Sequence, residues 1–184
     1  MKTNSKILNM GFALAAAVAI ISPQTSFAGR TIVPGTDCQV WGGHAGAASS
    51  IKYSTFGNVY NTNSNARVSV VCPVPRHNQG SSPVWVRVYY WDRNPVGGTN
   101  GQLGCRLRSN SAYGTQVVDT TAASTNASGG TYFGYWHFTG VTATNNQPNY
   151  PLNLTMQCFL PAAYGSNYSS IGSIVIDEPN SNTH

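Results

Sequence analysis

Residues 84–91 read VWVRVYYW. In an extended chain alternate side chains point to opposite faces, so Val84, Val86, Val88 and Tyr90 share one side and Trp85, Arg87, Tyr89 and Trp91 the other. β-Branched and aromatic residues fit a strand, and both faces are apolar enough to bury. Arg87 decides between them, because an unpaired arginine resists removal from water while valines are driven inward. The valine face is expected in the core. The face of Trp85, Arg87, Tyr89 and Trp91 is expected at the surface.

The same short alternations recur at 38–41, 57–60, 67–74, 103–108, 116–120, 132–139, 152–160 and 171–176, separated by clusters of Gly, Asn, Ser and Pro. Beyond residue 28 no stretch keeps a 3.6-residue apolar period long enough for a helix. Eight or nine short strands predict an all-β fold, a two-sheet antiparallel sandwich that is either Ig-like or jelly-roll-like. Leu154, Met156, Cys158 and Leu160 fall on one side of their strand, as do Leu103, Cys105 and Leu107, so these point inward while Arg106 and Arg108 point to water. Segments 42–50, 94–102 and 121–131 read as flexible connections, and no linker divides the chain.

The first residues follow a different logic. Lys2 and Lys6 precede an apolar run over 7–21, then Pro23 and Ser26-Phe27-Ala28, the layout of a secretory signal peptide. Residues 1–28 are therefore expected to be removed near Ala28, leaving 29–184 as one domain that is secreted, periplasmic or held at the cell surface. The run is shorter than the roughly 20 residues a membrane span needs, and no later stretch is long and apolar enough, so no membrane span is expected in the mature chain. Export gives meaning to Cys38, Cys72, Cys105 and Cys158. An even count without a C-x-x-C pair points to two disulfides. Four cysteines allow three pairings; the expectation is Cys38 with Cys72 and Cys105 with Cys158, each bridge joining chain neighbours.

The chain has 10 Lys and Arg against 5 Asp and Glu. Without Lys2 and Lys6 the balance is 8 minus 5, or +3. The seven arginines are scattered singly instead of forming the basic stripe of a nucleic-acid binder, so no nucleic-acid partner is expected.

The inventory for catalysis is thin. A hydrolase built on two facing carboxylates would have to draw on Asp37, Asp92, Asp119, Asp177 and Glu178. Asp92 and Asp119, at strand ends, are its best candidates, against the competing reading of Asp92 as a turn residue accepting backbone hydrogen bonds. His44, His77, His137 and His184 are isolated and lack metal-ligand spacing, and no G-x-S-x-G occurs. No catalytic residue, metal site or cofactor is assigned, and a non-enzymatic binding module is the preferred reading.

Aromatic residues carry that reading. They concentrate in 84–91 and in YFGYWHFTG at 132–140. Flat rings beside an arginine suit stacking on sugars, with Trp85, Tyr89 and Trp91 as platforms and Arg87 as donor to hydroxyls; the expected partner is extracellular glycan. An alternative partner is another copy of the chain, in an extracellular fibre or matrix. The competing structural reading has this face shielded by a loop or by cross-strand partners such as Phe133, Tyr135 and His137.

Several motifs recur in a fixed order. Cys38-Gln39 is followed by Y-S-x-x-G-x-x-x-N over 53–61, V-x-V-V-C-P-V-P-R over 68–76 and V-x-V-Y-Y-W-D-R-N over 86–94. L-x-C-R-L over 103–107 and L-x-M-x-C-x-L-P over 154–161 complete the series. In this the chain resembles a group of exported bacterial proteins of similar length with the same four-cysteine order. That group has no assigned activity, so the resemblance implies location and disulfides and supplies no mechanism.

Overall fold

The computed structural model describes residues 29–76, 84–96, 101–110, 117–119, 122–125, 131–141 and 153–178, with the side chains of 43–46, 110, 117–119, 140–141 and 153 left aside. The expected leader 1–28, His77 and His184 lie outside these residues, as do the side chains of His44 and Asp119.

Twelve strands form among the described residues, and all pairings are antiparallel. They are β1 (Arg30–Pro34), β2 (Gln39–Val40), β3 (Ile51–Tyr53), β4 (Val59–Asn61), β5 (Val68–Val74) and β6 (Val84–Asp92). The rest are β7 (Gly104–Asn110), β8 (Val117–Asp119), β9 (Ala123–Ser124), β10 (Tyr132–Val141), β11 (Asn153–Leu160) and β12 (Ser170–Asp177). One sheet, here sheet A, has the order β10-β6-β12-β4-β3, with β1 also on β12. The other, sheet B, has the order β2-β5-β11-β7-β8, with β9 also on β7.

From β4 to β7 the chain changes sheet at every step, and it does so again from β10 to β12. That weaving is the jelly-roll solution and settles the choice against an Ig-like order. Hairpins within one sheet are local, while each crossing between sheets lets two neighbouring strands bury their apolar sides against each other.

The strand facing read from 84–91 holds: Val84, Val86 and Val88 are fully buried. They meet Ile171, Ile174 and Ile176 from β12 in one core with Leu103, Leu107, Leu154, Met156 and Leu160 of sheet B. Each such side chain contributes roughly 1.5–3 kcal/mol by leaving water. The cysteines pair Cys38 to Cys72 and Cys105 to Cys158. Cys105 and Cys158 are direct register partners on β7 and β11, and all four side chains are buried in the core.

Two expectations need correction. The stretch 42–50 is not an irregular connection: Gly42–Ser50 winds as a 3-10 helix between β2 and β3. Its Gly, Ala and Ser residues have no apolar stripe, so no periodicity announces it. Within 121–131, Ala123–Ser124 adds a short strand to β7. β1 and β3 were also not expected, being 5 and 3 residues long; such lengths offer too few alternations to read. No helix among the described residues is long and apolar enough to cross a membrane.

Candidate functional site

The outward side of β6 presents Trp85, Arg87, Tyr89 and Trp91 to the surface of sheet A, with the two tryptophans 43% and 45% exposed. The register of β10 sets Phe133 opposite Trp91, Tyr135 opposite Tyr89 and His137 opposite Arg87. These partners do not shield the row. Phe133 is 83% exposed and Tyr135 57%, so β10 widens the aromatic surface. Tyr89 and Tyr135 lean together with ring centroids 5.5 Å apart, within the range of a favourable aromatic pair.

On the other flank of β6, β12 carries one residue more than its partner: Ile171 pairs with Tyr90, but Ile174 pairs with Val88. This bulge at Gly172 and Ser173 coincides with the point where β1 ends, Pro34 opposite Ser173, and β4 begins, Val59 opposite Ile171. Bulges bend a strand and re-aim its side chains. Here a cleft of about 310 Å³ opens, with Tyr89, Tyr90 and Trp91 of β6 on one side and Ile32 and Pro34 of β1 on the other. Ser170, Gly172 and Ser173 of β12 also line it, and Phe133 of β10 and the segment Phe56 to Asn58 complete its rim.

Local sequence explains that rim. The loop joining β3 to β4 closes with Gly57 N–H on the Ser54 carbonyl at 3.1 Å and Ser54 N–H on the Asn58 carbonyl at 2.9 Å. Ser54 Oγ accepts from the backbone N–H groups of Phe56 and Asn58. Gly57 adopts φ of 83°, a conformation open to glycine and strained for most other residues. The turn holds Phe56 with its ring 90% exposed. Gly35 fits where a Cβ would lie 2.4 Å from the Ile171 carbonyl oxygen, so only glycine lets the chain leave β1 across the bulge.

The cleft has polar groups as well as rings. Among the described residues the side chains of Asn58, Ser170 and Ser173 make no hydrogen bond. Apolar walls with a few open donors and acceptors suit a small or chain-like ligand.

Trp85 and Arg87 do not line the cleft; they continue the row beyond it. Arg87 Nη2 lies 3.3 Å from Asp177 Oδ2, while Asp177 Oδ1 accepts from Arg30 Nε at 2.7 Å. That hydrogen bond and the charge of Asp177 raise the Arg30 pKa further above its ordinary value. At the other end of the row Arg93 sits with Cζ 4.8 Å from the centre of the Trp91 ring, a cation–π distance. Arg30 and Arg87, far apart in sequence, are thus brought together on Asp177.

Sheet B offers a contrasting outer face. Arg67 and Arg106 lie 4.4 and 5.3 Å from the Phe159 ring centre, and Arg108 lies 5.9 Å from that of Trp41. Arg106 donates through Nε and Nη2 to Gln157 Oε1 at 2.9 and 2.8 Å, and Gln157 is fully buried. On this face Phe159 lies under two of the protein's own cations, while Trp41 stays 42% exposed. The rings of Phe56, Phe133 and Tyr135 on sheet A are open.

Asp92 sits in a buried hydrogen-bond network. It is buried, accepts from Thr125 and Ser169 hydroxyls, each at 2.5 Å, and accepts the Asn94 N–H at 3.1 Å. It ties the end of β6 to the segments holding Thr125 and Ser169, the turn role, and it is absent from the cleft lining. His137 is exposed on the outer face of β10. No group of three or more metal-ligating side chains occurs among the described residues.

No protein-family model matches the sequence, and the curated proteins contain no match. Solved structures do match. A xylan-binding module of family CBM15 aligns over 84% of this chain and 99% of its own, at 11% identity and a TM-score of 0.50. A CBM36 domain of a multidomain xylanase from the hindgut metagenome of Trinervitermes trinervoides aligns over 83% and 99%, at 12% identity and a TM-score of 0.41. The chain is similar to the first of these in fold, a two-sheet β-sandwich. Such low identity carries the likeness no further than the fold.

Proposed function

We propose that this protein is an exported, non-enzymatic carbohydrate-binding module that holds a glycan chain on the outer face of sheet A. The ligand runs along β6 over Tyr89 and Trp91, lies in the cleft between Phe56 and Phe133, and reaches Trp85 and Arg87 at its far end. The observation that carries this reading is the cleft itself: open aromatic walls with the unengaged polar side chains of Asn58, Ser170 and Ser173 between them. Sugar rings have the same dual character, with apolar C–H faces for stacking and hydroxyls for hydrogen bonds. The xylan-binding name of the similar module agrees with it. Two disulfides fit the oxidising compartment that residues 1–28 direct the chain toward.

Affinity electrophoresis of residues 29–184 through soluble polysaccharides tests the proposal. Retardation by at least one polysaccharide, lost in the double variant Tyr89→Ala/Trp91→Ala, is the expected result. Unretarded migration in all of them contradicts it. Light scattering on the same material addresses the alternative of self-assembly: a concentration-dependent oligomer abolished by the same substitutions would favour a second copy as the occupant of this face.

A further inference from the structure

Resting on that reading of the sheet A face as a glycan site, we infer that its ligand is an anionic polysaccharide, bearing carboxylate or sulfate groups, in preference to a neutral one. Arg87 lies on the outward side of β6, and Arg93, one residue past the strand's end, sits over the Trp91 ring, so the two flank Tyr89 and Trp91. At about 3.4 Å per residue their Cα atoms stand at most about 20 Å apart. The row is thus a pair of rings with a cation at each end, and Arg30 adds a third cation beyond Arg87.

Asp177 is the carboxylate that meets Arg30 and Arg87, and its side chain is 18% exposed. Asp177 can balance one of the two arginines it meets, and among the described residues Arg93 has no carboxylate within ion-pair distance. Arg30 takes the hydrogen bond with Asp177 Oδ1, whereas Arg87 approaches Oδ2 at 3.3 Å without forming one. A guanidinium carries five donors. Those of Arg87 are held at a half-buried position, 34% exposed, in line with the stacking rings. Arg93 is held by its contact with the Trp91 ring, and among the described residues its guanidinium makes no hydrogen bond.

A neutral sugar would use such donors as ordinary hydrogen-bond partners. A carboxylate or sulfate ester uses them bidentately and with charge assistance, roughly doubling the strength of each bond. Cations at both ends of the row would also steer a polyanion toward it.

Two matched pairs of probes separate this inference from the broader one: polygalacturonate against its fully methyl-esterified form, and dextran sulfate against dextran. Calorimetry or affinity electrophoresis should give at least tenfold tighter binding to the charged member of one pair, and the pair that responds tells carboxylate from sulfate. The preference should shrink severalfold between 50 and 300 mM NaCl. It should also shrink in Arg87→Gln and in Arg93→Gln but not in Arg108→Gln on sheet B, with unchanged circular dichroism confirming the fold. Using the ratio within each pair keeps a lost stacking contact from imitating a lost charge. Equal binding to both members overturns the inference and leaves the glycan-binding reading standing, as does preference for the neutral members. A preference that follows Arg108 and not Arg87 or Arg93 overturns it as general adsorption. Failure of all four probes to bind overturns the inference; the wider polysaccharide panel then decides the reading beneath it.

Discussion

Phe133 stands directly opposite Trp91 across β10 and β6, and both rings are open to solvent, 83% and 45% exposed. Such a pair adds little to stability because water still reaches it, so its removal reports on ligand contact. Phe133→Ala and Trp91→Ala should each weaken glycan binding roughly tenfold, the scale of about 1.4 kcal/mol from a stacked ring. Thermal unfolding should shift by only a few degrees. Titration calorimetry beside a melting curve separates the two effects.

Asp92 should behave in the opposite way. Asp92→Ala strands the Ser169 hydroxyl and the Asn94 N–H and leaves the Thr125 hydroxyl only the Leu103 carbonyl at 3.3 Å. A loss of roughly 3 kcal/mol in urea unfolding is expected, the cost of leaving buried donors unmet. Where the variant still folds, glycan affinity should stay within twofold of the parent.

Gly57 fixes the height of the cleft rim. Its φ of 83° is unfavourable for a residue with a Cβ, so Gly57→Ala should destabilise by about 1 kcal/mol. Displacing the turn that carries Phe56 should also lower affinity severalfold, measurable in the same calorimetric titration.

Alkaline pH has a defined signature. Burial, and secondarily the charge of Asp92, raise the Tyr90 pKa above its ordinary value. The neutral phenol is common to both states below about pH 10, the unfolded tyrosine value, so this contribution to stability is fully present there. Above that pH the unfolded chain ionises first, and the contribution is lost as pH rises through the folded value. Tyr90→Phe should flatten this part of the decline in unfolding free energy between pH 9 and 11, whereas an unchanged slope would assign the decline elsewhere.

The segment 84–91 disclosed its inward and outward faces because Arg87 interrupts one of two otherwise apolar sides, and the same alternation placed Cys105 and Cys158 inward. The cleft was not legible. It depends on an extra residue in β12 and on the abutment of β1 and β4, which arise from pairings between residues 79 to 147 apart in sequence. Phe56 sits within Y-S-x-x-G, and Gly57 was the only local hint that its ring would be held out on a turn. The arginines read as dispersed because sequence separation hides common faces: Arg30, Arg87 and Arg93 meet the outer side of sheet A, Arg67, Arg106 and Arg108 that of sheet B.

The two faces make the central claim directly testable by chemical-shift mapping of residues 29–184 during titration with a polysaccharide fragment that binds. Saturable shifts are expected at Phe56, Tyr89, Trp91, Phe133 and Ser173, with Trp41, Arg108 and Phe159 unmoved. Shifts confined to Trp41, Arg108 and Phe159 would move the site to sheet B and contradict the claim.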